Sequence, residues 1–289
     1  MIGESELILT SRGSVYHLDL RPEEIADTII TVGDPDRVQQ VSKYFVNIEF
    51  RRKHREFVSN TGYFAGKRIT VISTGIGTDN IDIVLHELDA LVNIDLETRQ
   101  PKEELKSLRI IRIGTSGSMR HDVPVDTFVV SESAIGLDNL LNFYHLIYTD
   151  RERNLLHAFV NHMQQKQIHF IPYLASASSK LLLLFNENFH RGITVTCPGF
   201  YGPQGRTLRT ELTYPNLIEL LTSFNFENLR LTNFEMETAG LYGLSKILGH
   251  EAVSLNAIIA NRADKTFSLD HHETVERLIR IALERIATA

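Results

Sequence analysis

The sequence predicts an α/β fold of three layers, with helices covering both faces of a mostly parallel or mixed sheet. Three observations predict it. β-Branched runs recur along the chain, each followed by a glycine-containing loop and then a helical stretch. The run AVSLNAIIA (252–260) is apolar on both faces, as a strand at the centre of a covered sheet must be. No internal repeat, low-complexity tract or Ser/Gly linker interrupts the pattern, so residues 1–289 read as one domain.

The elements follow in order. TIITV (28–32) reads as a strand, GDP as its loop and Asp36 onward as a helix. RITVIST (68–74) is the next strand. GIGT follows it, and Asp79 is placed to cap an amphipathic helix to about Leu91. LRIIRI (108–113) reads as a strand that ends in a GTSGS turn. DTFVVSESA (126–134), FIPYLASAS (170–178) and GITVTC (192–197) continue the sheet. Phe234 to Leu248 reads as a helix stopped by Gly249. After 252–260, HHETVERLIRIALERIA closes the chain as an amphipathic helix. Ligands of such folds bind beyond the carboxyl ends of the strands. That rule gathers Gly33, Gly75 to Thr78, Gly114 to Gly117, Phe200 to Arg206 and Asn261–Arg262 into one region.

Composition narrows the function. Hydrophobic residues make up 43% and charged residues 23% of the chain, ordinary values for a water-soluble globular protein. The formal net charge of −6 disfavours nucleic acid and anionic membrane as partners. The single cysteine, Cys197, excludes an intramolecular disulfide and fits a reducing compartment. The N-terminus MIGESELILTSRGS lacks the pattern of a signal peptide, and LLLLF (181–185) is far too short to span a bilayer. A cytoplasmic protein is expected. The histidines lack metal-binding spacing, so no metal is expected. No G-x-S-x-G elbow, P-loop or G-x-G-x-x-G fingerprint is present. The chain offers no obvious nucleophile of its own.

Several short motifs carry anion-binding chemistry. In GDPDR, Gly33 lets backbone amides approach an anion, and Arg37 lies one helical turn later with its guanidinium fork. By itself, a plain turn with a solvated arginine explains this motif better. In RIGTSG, Arg112 sits two residues before Gly114, near the end of an apolar strand where a charge needs a partner. Arg112 and Thr115 either hold a phosphate or, for Arg112, form a structural ion pair. In RRKHREF (51–57), a solvated surface is the ordinary reading, with Arg55 alone a candidate anion ligand. In NFEMETAG, Glu235 and Glu237 flank Met236 at the start of a helix. Capping explains two such carboxylates. In a functional reading, Glu237 instead accepts from two adjacent sugar hydroxyls beside an apolar wall from Met236.

Read together and in order, H-L-x-L (His17 to Leu20), GDPDRV, HREF (54–57), STGIG, RIGTSG, FYGPQGR, FEMET and ANR (260–262) resemble the nucleoside phosphorylase superfamily and, within it, the uridine phosphorylases. The resemblance runs through most of the chain. It implies a three-layer α/β/α sandwich around a central mixed, partly barrel-like sheet. It implies phosphorolysis of a nucleoside with inorganic phosphate as co-substrate and no required cofactor. Gly33, Arg37, Arg112 and Thr115 would bind phosphate, joined by Arg55 of a neighbouring subunit. Thr115, Met236 and Glu237 would hold the ribose, with the neighbour's His17 at the 5′-hydroxyl. Phe200, Gln204 and Arg206 would bind the base, and Arg262 would support that site. Arg112, Glu237 and Arg206 would carry catalysis. A homodimer would be the minimal active unit, built in some relatives into a hexamer of three dimers. A monovalent cation at the dimer interface, near Glu56 and Ser73, also follows from the resemblance.

The sequence departs from the family in two places. Residues 207–232 match only loosely, and their latter part is expected to supply a helix before FEMET. The acid that purine-cleaving relatives carry beyond the last strand is here shifted to Asp264, which disfavours a purine substrate. Two further readings compete with phosphorolysis of a pyrimidine nucleoside: a nucleosidase of the same superfamily and a non-catalytic nucleoside-binding protein. The loop FYGPQGR favours a pyrimidine: the amide of Gln204 and the guanidinium of Arg206 complement the acceptor–donor–acceptor edge of uracil.

Overall fold

The computed structural model describes residues 1–289. The chain runs β1 (Thr28–Val32), α1 (Pro35–Ser42), β2 (Asn47–His54), β3 (Phe57–Phe64), β4 (Lys67–Ser73), α2 (Thr78–Asn93), β5 (Arg109–Ser118) and β6 (Phe128–Gly136). It continues with α3 (Asp150–Gln165), β7 (Tyr173–Ser176), α4 (Ser179–Leu183), β8 (His190–Thr196), α5 (Leu217–Thr222), β9 (Leu229–Glu235), α6 (Thr238–Leu248), β10 (Glu251–Asn261) and α7 (His271–Thr288).

One mixed sheet organises the molecule, in the order β9-β8-β6-β10-β5-β1-β4-β3-β2, with β7 on β6. β1 runs parallel to β4 and to β5, pairing Ile30 with both Val71 and Ile111. β10 runs parallel to β5 from Glu251↔Arg109 to Asn261↔Ser118. β9 also pairs antiparallel with β5 through Asn233↔Ser118 and Phe234↔Gly117. That pairing closes β9, β8, β6, β10 and β5 into a five-stranded barrel, and the remaining strands extend from it as an open sheet.

Alternation along the strands builds the three layers. Ile29, Ile110 and Ala252 join α2 and α6 in one core. Their neighbours Ile30, Ile111 and Val253 join α1 and α7 in the other. A third core beneath α3 and α5 covers the barrel, using Ile135, Leu174, Ile193 and Phe234. The central strand β10 is buried almost throughout, as its two-faced apolar sequence predicts. No helix is long and apolar enough to cross a membrane.

Several boundaries differ from the sequence reading. GTSGS is not a turn, because β5 continues through Ser118. Its partners β10 and β9 supply the ladder that small residues alone do not predict. Phe234 and Glu235 belong to β9, and the helix begins only at Thr238. The latter part of 207–232 is thus mainly strand, and the helix in that segment is the earlier α5. Asp79 does not cap α2: Gly77 is the N-cap residue, with φ of +94°, and Asp79 lies inside the first turn. α1 starts at Pro35, one residue earlier than read, because the Asp34 side chain accepts from the Asp36 amide at 2.9 Å. The strand of 170–178 shortens to β7, since Ser178 instead caps α4. The β2–β3 hairpin and α3 were not predicted. β2 has no fully buried residue to mark a core face. α3 is mostly polar, with only Glu152, Leu155, Phe159 and Met163 buried.

Candidate active site

The carboxyl ends of β1 and β5, the end of β9 and the loop after β8 converge on one cavity of about 790 Å³. Of the twelve predicted site residues, nine line it. Gly33, Arg37, Arg112 and Thr115 stand at one end with Met236 and Glu237 beside them, and Phe200, Gln204 and Arg206 come from the loop. A second cavity of about 540 Å³, between α3, α6 and the end of β7, contains none of the twelve.

Arg112 is buried and points forward along its own strand, over Gly114. A Cβ at Gly114 would fall 1.8 Å from Arg112 Nη1, so only glycine leaves room for the guanidinium. Arg112 Nη2 donates to Glu237 Oε2 and lies 3.5 Å from Glu235 Oε2. Nη1 reaches Asn256 Oδ1 at 3.4 Å. Burial opposes its charge, but Glu237 and Glu235 together hold Arg112 above its ordinary range. The ion-pair reading of Arg112 is therefore correct in the free protein, and the same guanidinium still faces the cavity.

The two carboxylates of FEMET divide the roles offered for them. Glu235 does the capping: its Oε2 accepts from the backbone amides of Glu237 (2.9 Å) and Thr238 (2.8 Å), and its Oε1 accepts from Thr196 Oγ1. Glu237 lines the cavity beside Glu235. Its Oε1 accepts from the Gly77 amide at 2.8 Å, and its Oε2 accepts from Arg112. Each oxygen keeps a second lone pair for an incoming hydroxyl. Burial raises the Glu237 carboxyl above its ordinary range, with Arg112 opposing. Met236, between the two, is partly exposed into the cavity.

Arg37 has no carboxylate partner. Its Nη1 donates only to the carbonyl of Ile113, at 3.3 Å. Burial, and then the proximity of Arg112, pull it down to about 10. A partly desolvated cation with no carboxylate in ion-pair contact is what an anion site requires.

The base-loop candidates form a compact unit. Gln204 is buried, and its Oε1 accepts from Arg206 Nη1 at 2.7 Å. Arg206 Nη1 also donates to the Phe200 carbonyl at 2.7 Å, and its guanidinium stacks 3.7 Å above the Phe200 ring. Burial lowers Arg206, with Arg262 adding to the shift. Arg262 does not line the cavity. It lies behind the loop, donating to the carbonyls of Gln204 (2.9 Å) and Gly205 (3.2 Å).

His17 and Arg55 lie outside this cavity. His17 Nδ1 is 2.6 Å from Glu87 Oε1, and the His17 carbonyl contacts His54 Nδ1 at 2.9 Å. Arg55 sits in the β2–β3 turn with φ of +53° and stacks on the Tyr16 ring, 5.1 Å from its centroid. The two residues thus share a separate edge of the molecule. Asp264 is also away from the cavity, paired with exposed His121 at 2.5 Å. Asn80, Ile259 and Phe267 line the cavity and were not predicted. Only the structure brings them there, although Asn80 follows a recognised loop by two residues.

A family model described as the phosphorylase superfamily matches residues 27–289. The crystal structure of a Trypanosoma brucei nucleoside phosphorylase, described as showing uridine phosphorylase activity, matches with a TM-score of 0.89 at 31% identity. It covers 98% of this chain and 100% of that one. A uridine phosphorylase of Thermococcus kodakarensis is 28% identical over 271 residues, 89% of this chain and 81% of the relative. A DeoD-type purine nucleoside phosphorylase of Hahella chejuensis is 26% identical over 279 residues, 93% of this chain and 96% of the relative.

Proposed function

The chain belongs to the phosphorylase superfamily, and from that premise we propose that it is a uridine phosphorylase, cleaving uridine with inorganic phosphate to uracil and ribose 1-phosphate in pyrimidine salvage. One observation carries the reading. A cavity with unpaired Arg37 at one end has the locked Gln204–Arg206 pair at the other.

Breaking the glycosidic bond builds positive charge at C1′ and negative charge on the departing base. Phosphate serves as nucleophile and counter-charge, held by Arg37, Arg112, Thr115 and the Gly33 amide. Glu237 accepts from the ribose hydroxyls and stabilises the cationic sugar, with Met236 packed beside it. Holding phosphate and the departing base on opposite faces of C1′ is chiefly positioning, which contributes on the order of 7–11 kcal/mol in well-oriented reactions. In-line displacement inverts C1′. Arg206, anchoring Gln204 Oε1, fixes which way the amide points. Oε1 then accepts from uracil N3–H, Nε2 donates to one flanking oxygen and Arg206 to the other, as an oxyanion hole does. Phe200 flanks the ring. Cytosine reverses the pattern at N3 and C4 and is rejected.

The edge holding His17 and Arg55 supports a homodimer in which each copy completes the other's site, at the 5′-hydroxyl and at the phosphate. The same argument extends to a hexamer of three dimers. Nearby, the Glu56 carboxylate has no partner in the chain, and Ser73 Oγ lies 3.0 Å from the Glu56 carbonyl. These oxygens, doubled by a second copy, suit a monovalent cation. The buried, unpaired Cys197 supports a reducing compartment, the cytoplasm.

A purine nucleoside phosphorylase needs an acid at the base end, and Asp264 is engaged elsewhere. A water-using nucleosidase has no need of Arg37. Turnover of uridine, deoxyuridine, thymidine, cytidine and inosine, each with and without phosphate, tests the proposal. Uridine cleavage only with phosphate is expected. Phosphate-independent cleavage, preferred cleavage of inosine, or binding of uridine without release of uracil would each overturn it.

A further inference from the structure

The guanidinium of Arg112 meets a polar network from inside the barrel. In the parallel pairing of β10 with β5, Ser254 lies opposite Arg112 and Asn256 lies opposite Gly114. Because the Arg112 side chain folds forward over Gly114, its guanidinium arrives beside Asn256, whose Oδ1 accepts from Nη1 at 3.4 Å. The amide of Asn256 is held in one orientation. It is fully buried, and its Nδ2 donates to Ser131 Oγ (3.2 Å) and to Ser254 Oγ (3.3 Å). Those two bonds use both amide hydrogens, so the oxygen is left to face the arginine. The anchors are themselves fixed. Ser131 Oγ lies 2.5 Å from Thr194 Oγ1, and Ser254 Oγ lies 2.9 Å from Thr238 Oγ1 in the first turn of α6. A network of neutral groups thus ends on a charged group of the cavity.

We propose that Asn256 is a positioning residue for phosphorolysis. It fixes one arm of Arg112, Nη1, while Glu237 takes the other, Nη2, so that the guanidinium presents a constant set of donors to the attacking phosphate. The inference rests on the phosphorolytic reading above and deepens it. A guanidinium carries five N–H groups, and the two contacts leave others for the anion. The neutrality of the amide fits the place. Glu235 and Glu237 already bring two negative charges to one guanidinium. A third carboxylate would compete with phosphate for it, whereas an amide oxygen orients it without neutralising it.

Three substitutions test this. Asn256→Ala removes the acceptor, and Asn256→Asp keeps an acceptor of the same shape but charges it. Asn256→Ala is expected to raise the KM for phosphate about tenfold, the usual worth of one hydrogen bond to a charged group, and to leave the KM for uridine within about twofold. Asn256→Asp should raise the phosphate KM further. Ser254→Ala keeps Asn256 but releases one of its two anchors, and decides the matter where Asn256→Ala does not fold. It should raise the phosphate KM about two- to threefold, the worth of one neutral hydrogen bond. A purely structural Asn256 would lower the melting temperature of the variants and leave the phosphate KM at its wild-type value. That result would overturn the proposal and leave the reaction standing. An equal rise in the KM values for phosphate and uridine would overturn it too, in favour of a general loosening of the site. Absence of phosphate-dependent turnover in wild type would instead sink the reading on which it rests.

Discussion

The two ends of the cavity are built differently. At the phosphate end, Arg112 projects from the strand β5, buried, with Glu235 from the end of β9 and Glu237 from the N-cap of α6 fixed beside it. At the base end, Gln204 and Arg206 hang from an irregular loop, and Phe200 is 50% exposed. The first set is held by the scaffold, so its charges are part of the fold. The second set is held by its own contacts and by Arg262 from behind. On the proposed function, the chemistry of phosphorolysis would sit on the rigid part and choice of base on the part that can vary without unfolding the protein. Substitutions at the first end should therefore cost stability and activity together, and those at the second should cost activity alone.

Arg112→Met tests the first half most severely. It leaves Glu237 and Glu235 buried without their cation, which costs about 3–5 kcal/mol of stability. It also removes the phosphate ligand proposed above and frees Glu237 from its orientation. The kcat/KM for phosphorolysis should fall at least about a thousandfold, comparable to loss of a key electrostatic group. A variant that melted like wild type would break the claim that this end belongs to the fold. Arg206→Ala tests the second half. The kcat/KM should fall by about 10²–10³, the worth of one oxyanion donor. Stability should change by no more than about 0.5 kcal/mol, as for an ordinary surface change. With a nucleoside whose base is a much more acidic leaving group, the loss should shrink. An equal loss there would mean that Arg206 does not act on the departing charge.

The same contrast explains what the sequence disclosed. Residues at strand ends were legible, because Gly33, Arg112 and Thr115 follow β-branched runs whose direction fixes where they point. The loop was legible because glycine and proline mark a turn, while Gln204 and Arg206 are unusual residues to find in one. The sequence assigned Glu237 to a ligand, and the structure gives the helix-capping contacts to Glu235, a division of roles between the two carboxylates. Its cause was hidden, since it depends on where β9 ends and on Thr196, 39 residues away, whose hydroxyl draws the Glu235 carboxylate into the barrel wall. Barrel closure was implied only by resemblance, because two pairs between β9 and β5 leave no periodic mark. The β2–β3 hairpin escaped notice because neither face of β2 is buried. α3 did carry a readable signal, the capping box of Thr149 and Glu152.

Arg37 sharpens the comparison, since it belongs to the phosphate end yet has no partner. Its folded value of about 10 lies below its ordinary 12.5. A base lowered in this way is penalised while charged, so Arg37 opposes folding at neutral pH, and the penalty fades only as pH rises through about 10. Binding of phosphate should remove it. In wild type, phosphate at a hundred times its Kd should stabilise the fold by about 2.7 kcal/mol. Arg37→Gln should melt no lower than wild type in phosphate-free buffer and should lose most of this phosphate-induced shift. A phosphate-induced shift of wild-type size in the variant would mean that Arg37 is a bystander.

The smallest effect belongs to Arg262, which touches neither end of the ligand. Its two hydrogen bonds fix the carbonyls of Gln204 and Gly205, and thereby the height at which the loop presents its amide and guanidinium. Arg262→Ala removes both, worth about 1 kcal/mol each at most once water replaces them. Because the loop keeps its internal bonds from Arg206 to Phe200 and Gln204, the pair should survive as a unit but sit less firmly. The KM for uridine should rise about tenfold or less, and the KM for phosphate should not move. If phosphate KM moved as well, the two ends would be coupled through β10, which carries Asn256 beside Arg112 and ends next to Arg262. The separation between scaffold and loop would then be one of construction only, and not of energy.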